Sequence, residues 1–417
     1  MSSTMDVIKD EDFDAAFHNF NRDLGYQHSK KFKEGQMFKN LISVQERERR
    51  MRDSLQSRHG PTAELHDQFY RDHKLLLVLF RALAVMPIER SGPGKVTFSW
   101  KSKASIYAFC FYCFATVIVL IVGYERVKML SNTKKFDESI YGVLFLIFLV
   151  PHFWIPFVGW GVANDVAAYK TNWATFQVRY FRITGENLQF PRLKILIVII
   201  SIDHSMTMLN MNSALWYINS RGIKVASENL SRCFRKVGID VHIEATCRVI
   251  GQYRLLWLNL SELLQSLGNA YARTYSTYCL FMLVNITIAL YGTMSEIIDH
   301  GFRFSFKEIG LIVDCVYCSV LLFVFCDCSH SATLKVAQGV QDTLLSINLL
   351  NVDRPAQREI EIFIQAIEMN PAIVSLKGYA EVNRALLTSC ISIIAIYLIV
   401  LVQFKLSLVS KQALANN

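Results

Sequence analysis

Long apolar runs separated by charged stretches set the pattern of this chain. A helix needs about 20 apolar residues to cross the hydrocarbon core of a bilayer. Five segments reach that length plainly: 104–124, 140–163, 277–298, 309–328 and about 385–404. Pro151 and Pro156 in the second predict a kink. A sixth candidate, about 193–218, falls in the stretch ILIVIISIDHSMTMLNMNSALWYINS of residues 195–220, with Asp203 and His204 side by side in the middle.

Composition supports a membrane protein. Of the 417 residues, 52% are hydrophobic and 19% charged, against about 25% charged in ordinary soluble domains. The mean hydropathy is +0.26. A net charge of +9 would suit nucleic acid, but the basic residues lie between apolar runs, as they do in cytoplasmic loops. A nucleic-acid role is therefore disfavoured. The basic arm before residue 104 predicts a cytoplasmic N-terminus, which places loop 125–139 outside. Loop 164–192 returns inside, where Lys170, Arg179, Arg182 and Arg192 outnumber Asp165 and Glu186. The segment after Ile218 is also basic. Both flanks of the sixth run thus read as inside, so an even number of crossings must separate them. Its helix would be only about 39 Å long, enough for one crossing of about 30 Å. The run is therefore expected to be a re-entrant hairpin or the fused remnant of two spans, with Asp203 and His204 at the joint. An ordinary pair of spans there would give seven crossings, N-terminus inside and C-terminus outside. That is opposite to a G-protein-coupled receptor.

Residues 1–103 read as a cytoplasmic arm, charged and partly disordered, and the acidic first 20 residues predict no cleaved signal. Residues 104–404 form the membrane domain and 405–417 a short tail. Three inside segments within about 219–276 and 329–384 carry apolar stripes at helical spacing. They are Leu256, Leu260, Leu263, Leu267; Val336, Val340, Leu344, Ile347; and Ile360, Phe363, Ile364, Ile367. Such stripes fit packing within one subunit, or a bundle that also joins subunits. Cys315 and Cys318 have C-x-x-C spacing, and Cys326, Cys328 and His330 follow. Cys315 and Cys326 would lie about 16 Å apart along a helix, so these residues are read as ordinary thiols and no metal is expected.

The last span ends in Gln403 and Phe404. An amide in hydrocarbon is costly, so Gln403 should meet water, a partner helix or the interface. Tyr397 and Phe404, seven residues apart, share one helix face, and Ile396 and Gln403 another. Tyr397, five apolar residues and Gln403-Phe404 resemble the TYhhhhhQF signature of insect gustatory receptors. Longer runs, among them YRDHKLLLVLFRALAVMPIERS, FLVPHFWIPFVGWGVA, CDCSHSATLKVAQGVQDTLLSINLL and FIQAIEMNPAIVSLKGYAEVNR, are similar to the carbon-dioxide receptor subunits of that family. The resemblance covers roughly residues 65 to 405.

The resemblance implies an all-α polytopic helix bundle of the insect odorant/gustatory receptor channel type. It implies a heteromeric, tetrameric, ligand-gated and non-selective cation channel that detects carbon dioxide, in the plasma membrane of chemosensory neurons. Its partners would be other gustatory receptor subunits and membrane lipid. The last span would line the pore, with Tyr397, Gln403 and Phe404 at the gate, where a ring of amides can contact hydrated cations. The ligand pocket would lie among the earlier spans. His152 and Trp154, then Asn285, Asp314 and Tyr317, are the polar candidates, although intramembrane Asn and Asp often serve only neighbouring helices. An enzymatic route through bicarbonate would want converging histidines on a metal. The ten histidines are dispersed, so neither an enzyme nor a cofactor is expected. The chain departs from the family in two ways. Ile396 stands where the signature has Thr, and one run stands where the family has its third and fourth spans. A truncated, non-conducting partner that modulates other subunits is the alternative.

Overall fold

The computed structural model describes residues 66–132, 136–190, 207–238, 246–301, 306–349 and 352–415. Asp203 and His204, and the joint expected there, lie outside the described residues. Helix α1 is Gln68–Ala82, followed by strands β1 (Glu89–Gly92) and β2 (Lys95–Thr97). The remaining helices are α2 (Lys103–Asn132), α3 (Phe136–Gly161), α4 (Ala163–Thr184), α5 (Thr207–Gly238), α6 (Thr246–His300), α7 (Phe306–Leu345), α8 (Arg354–Met369) and α9 (Arg384–Ala415). Among the described residues, four stretches are long and apolar enough to cross a membrane: Lys103–Ser131, Cys247–Ile298, Glu308–Leu345 and Arg384–Ser407. They contain the first and the last three of the five plain spans. The second, 140–163, falls almost wholly in α3, which stays helical through Pro151 and Pro156.

The arm expected over 1–103 is folded from its last third on. Asp67 caps α1 by accepting the Tyr70 amide at 3.3 Å. Phe69, His73, Leu76 and Phe80 recur at helical spacing and are buried, and α1 packs on α4. The described residues are mostly helical, with one small hairpin added: β1 and β2 pair antiparallel, Arg90 opposite Val96. Between them Pro93-Gly94 makes the turn, with Gly94 at φ 68°, where an L side chain would be strained.

A second difference concerns continuity. The span 277–298 and the striped segment before it form the single helix α6, 55 residues and roughly 80 Å long. Helix α7 likewise runs from the span 309–328 through its striped segment, for 40 residues. Neither junction, ARTYST at 272–277 nor CSHSAT at 328–333, holds a Gly or Pro, so nothing local ends either helix. The stripes meet one another inside this one chain. Leu256, Leu260, Leu263 and Leu267 are buried, with Val336, Val340, Leu344, Ile360, Phe363 and Ile367. The Trp257 indole N–H donates to the Val336 carbonyl at 2.9 Å, and Phe234 of α5 packs on Tyr253 and Phe363. Arg254 of α6 donates to Glu359 of α8 at 2.8 Å, with both side chains mostly buried.

The segment between α8 and α9 folds back on α6. Leu376 and Val382 donate their amides to Ala380 and Val374 at 2.9 Å each, and this turn rests on Gly268. A Cβ at Gly268 would stand 2.4 Å from the Ser375 carbonyl oxygen, a backbone atom that cannot swing away. Gly268→Ala is therefore expected to cost about 1–3 kcal/mol through overpacking. Thermal unfolding of the purified chain should show it as a lower Tm; an unchanged Tm would mean that the turn is free to lift.

Candidate functional site

Helix α9 leaves its own chain along most of its length. Only 11% of its apolar window is buried, and its packing on α6 and α7 is concentrated at Cys390 and Ile394. Further on, Ile396, Tyr397 and Phe404 are 62%, 60% and 67% exposed, and Gln403 is exposed with them. Near its start Arg384 clamps Asp327 of α7 at 2.7 Å. The three residues expected at a gate thus share one open helix, as their spacing predicts, with an amide set among apolar neighbours.

The five expected pocket residues fall into two groups. His152 and Trp154 lie on α3. His152 Nε2 is 3.0 Å from the Thr116 hydroxyl of α2, and its ring stacks on Tyr112 at 5.2 Å. The Trp154 indole donates to Thr277 of α6 at 2.9 Å, although the side chain is largely exposed. Asn285 of α6 and Asp314 of α7 form the second group around Cys318. The Cys318 thiol donates to Asp314 Oδ1 at 3.7 Å, and Asn285 reaches the same sulfur. Asn285 is fully buried, yet neither end of its amide makes a well-formed hydrogen bond, and Asp314 Oδ2 makes none either. Tyr317 sits one turn on, beside Tyr278, whose hydroxyl bonds to Ser213 of α5. Trp154 and Thr277 provide the α3–α6 contact between the two groups. Among the described residues, no three His, Cys, Asp or Glu side chains are placed to share a metal ion.

A third polar cluster escaped the sequence reading, which counted Lys170 only as loop charge. Helix α4 buries Val166, Lys170, Trp173, Gln177 and Tyr180, a 4-3-4-3 stripe with two polar members. That interruption was the available signal. Lys170 is 4% exposed. Its Nζ donates to Asn219 Oδ1 of α5 at 2.9 Å and lies 4.8 Å from the centre of the Phe69 ring and 5.6 Å from that of Tyr169. Among the described residues no carboxylate comes within ion-pair distance of it. Asp67, buried at the head of α1, is occupied by Gln177 at 3.3 Å and Arg90 at 3.9 Å. His73, fully buried, places Nδ1 2.6 Å from the Phe69 carbonyl. A carbonyl only accepts, so Nδ1 carries the proton and Nε2, which has no partner, keeps a bare lone pair.

This cluster lies outside the apolar spans, and burial governs its protonation. Desolvation pushes the Lys170 ammonium down to about 7, against the opposing pull of Asp67. Desolvation, then the Lys170 charge, holds His73 well below the usual imidazole range. Burial raises Asp67 despite the Tyr70 amide and Arg90.

Comparison with known proteins gives a consistent neighbourhood. The family model described as 7tm chemosensory receptor matches residues 73–212 and 204–408. "Gustatory and odorant receptor 22" of Anopheles gambiae is 40% identical over 383 residues, taking in 84% of this chain and 81% of that protein. "Gustatory and odorant receptor 21a" of Drosophila melanogaster is 39% identical over 376 residues, 82% of each chain. "Gustatory and odorant receptor 24" of Anopheles gambiae is 29% identical over 372 residues, 81% of this chain and 79% of that one. Among solved structures, the olfactory receptor OR5 of Machilis hrabei superposes with a TM-score of 0.48 at 12% identity, over 79% of this chain and 97% of its own. Its complex with eugenol gives 0.47 at 11%, over 81% and 99%.

Two expectations follow from the buried polar groups. An unsatisfied buried amide costs roughly 1–3 kcal/mol, whereas an apolar residue of similar shape costs little. Asn285→Leu should therefore leave the Tm unchanged or raise it while altering ligand response; a large loss of Tm would make the amide structural. For Lys170 the folded state binds fewer protons than the unfolded chain between pH 7 and about 10.4, so stability rises with pH across that window, by at most roughly 5 kcal/mol. Chemical denaturation against pH should show this rise in the wild type and its loss in Lys170→Met. An equal rise in both would place the titrating group elsewhere.

Proposed function

The chain belongs to the 7tm chemosensory receptor family, and from that premise we propose that it is a carbon-dioxide-detecting subunit of a ligand-gated, non-selective cation channel. The channel is a heteromer with other gustatory receptor subunits, a tetramer in this reading, in the plasma membrane of chemosensory neurons. The carbon-dioxide assignment rests on the long runs similar to that subunit lineage, and on the 40% and 39% identity to insect gustatory and odorant receptors. The loop charges support an N-in/C-out plan, which is the family's seven-span one with the third and fourth spans shortened into one run. The protein acts by gating rather than by enzymatic turnover.

The single observation that carries the channel reading is the open face of α9. An apolar span with an exposed amide at Gln403 is incomplete in one chain, because an amide in lipid is costly. Lipid can cover Ile396 and Tyr397 but cannot satisfy Gln403. A ring of copies around a water-filled axis can. The gate reading assigns Gln403 to ion contact and Phe404 to the constriction, and the Asn285, Asp314 and Cys318 group, with His152 and Trp154 across α3, to the ligand side.

The alternative, a truncated non-conducting partner, has its own support. The family match comes in two pieces that overlap at 204–212. The alignment to the Anopheles relative spans 383 residues, more than the 84% of this 417-residue chain that it takes in, so residues present in the relative have no counterpart here. Both favour third and fourth spans shortened into one run.

Current evoked by carbon dioxide, with pH clamped, in cells expressing this chain and a complementary family subunit separates the two. A working subunit gives a current that is absent without this chain, and Gln403→Ala or Phe404→Ala changes conductance or open probability at equal surface expression. Surface-expressed but silent complexes, with the partner competent, favour the modulator. Wild-type conductance and gating in both variants would overturn the gate assignment.

A further inference from the structure

The Lys170 cluster has the makings of a chemical sensor. The amine is closed off by aromatic rings and by Asn219, so charged or bulky reagents are kept out. Only a small uncharged electrophile can reach it. Carbon dioxide is one that adds to an amine without a leaving group, an oxidant or a cofactor. We propose that Lys170 is a carbon-dioxide modification site, where the gas adds reversibly to Nζ as a carbamate; this rests on carbon dioxide being the ligand.

The step balances. The Nζ lone pair of the uncharged amine forms a bond to the carbon of carbon dioxide, and one C–O π pair moves onto oxygen. An N–H proton then leaves the nitrogen, giving R–NH–COO⁻ and one proton. That proton is released to the buffer; His73, held well below the usual imidazole range by burial, is not needed to carry it. The reaction needs the neutral amine. At pH 7 an ordinary lysine is neutral in only about one molecule in a few thousand. Burial, by bringing Lys170 to about 7, makes the neutral form a major species.

The product puts a buried negative charge where the amine is neutral or positive. The charged and titratable groups facing it are Asp67 and His73 from α1, Arg90 from β1, Tyr169 from α4 itself and Tyr271 from α6, with Asn219 from α5 as its neutral partner. Asp67, which now favours the ammonium, would repel the carbamate. Arg90 and a protonated His73 would attract it. Helix α4 packs on α6, which continues into an apolar span. The new negative charge thus falls beside that packing, where a ligand-driven shift would need a differential interaction.

The test reads the adduct on the full-length chain in lipid nanodiscs. The protein is equilibrated at pH 7.4 with 13C-labelled carbon dioxide, and the carbamate carbon is read directly by 13C NMR with no trapping reagent. The expected result is a carbamate resonance that is lost in Lys170→Arg, kept when the exposed Lys236 is changed to Arg, and absent without the gas. No carbamate resonance, or one that survives Lys170→Arg or is lost with Lys236, overturns the proposal. Lys170→Arg keeps the positive charge but presents no neutral amine near pH 7. At matched surface expression it should lose the carbon-dioxide response, and a wild-type response would overturn a sensing role. The two failures are distinguishable. A current without the adduct leaves the receptor reading standing and removes the carbamate. An adduct without any current removes the receptor reading and keeps the site.

Discussion

Trp216, Tyr275 and Phe325 join α5, α6 and α7 at one point, and the remaining elements are arranged around that junction. The Trp216 ring centre lies 4.4 Å from Tyr275 and 4.7 Å from Phe325, and all three side chains are buried. Aromatic pairs of this kind add about 0.5–1.5 kcal/mol each beyond their buried area. Their polar ends are also satisfied: the indole donates to Ser329 at 2.8 Å, and the Tyr275 hydroxyl to the Asn212 carbonyl at 2.6 Å. Geometry explains why the junction matters. A helix as long as α6 is more than twice the roughly 30 Å of a hydrocarbon core, so much of it must be covered by protein. Its leucine stripe does this, each buried leucine contributing roughly 1.5–3 kcal/mol. Because the bonds at the junction use residues from Asn212 onward, α5 is seated there whatever connection leads into it.

The same arrangement divides the molecule by satisfaction. Around the junction one face of each helix is spent within the chain, and charged pairs such as Arg254–Glu359 hold helix to helix. Along α2 and α9 the opposite holds, with 11% of each apolar window buried. Lipid is a sufficient partner for Phe109, Phe114 and Ile121 of α2. It is not one for the amide of α9. Among the described residues, satisfaction is incomplete at three places: an open amide at Gln403, an amide and a carboxylate oxygen without a well-formed hydrogen bond at Asn285 and Asp314, and a lysine buried with Asn219 in place of a carboxylate.

Much of this could be read from residue spacing, and the exceptions have physical reasons. Leu256, Leu260, Leu263 and Leu267 repeat with the period of a helix face, so their burial was legible. Whether they faced this chain or another was not, since a stripe carries no address. The hairpin at 89–97 was hidden by a reading that took charge as disorder, although Pro-Gly marks a turn. Lys170 was hidden by the same habit: counting loop charges treats each lysine as solvated, whereas this one shares a stripe with Trp173. Asn285 and Asp314 stood out in the sequence as polar groups in apolar runs, but their meeting at Cys318 depends on how α6 and α7 cross, which no single helix encodes. His152 and Trp154 lie apart from them, against Thr116 of α2 and Thr277 of α6.

The central claim is that the open face of α9 is closed by other subunits around an axis. Site-specific disulfide formation tests it most directly. In a chain with Cys110 and Cys113 changed to serine, co-expressed with a complementary family subunit carrying cysteine at the matching position, Gln403→Cys should yield disulfide-linked dimers on mild oxidation in native membranes. Val117→Cys, on the exposed face of α2, paired in the same way, should not. Dimers of that pattern would place Gln403 at an interface between subunits. No dimer from Gln403→Cys, or equal dimers from both positions, would contradict the account and leave α9 facing lipid.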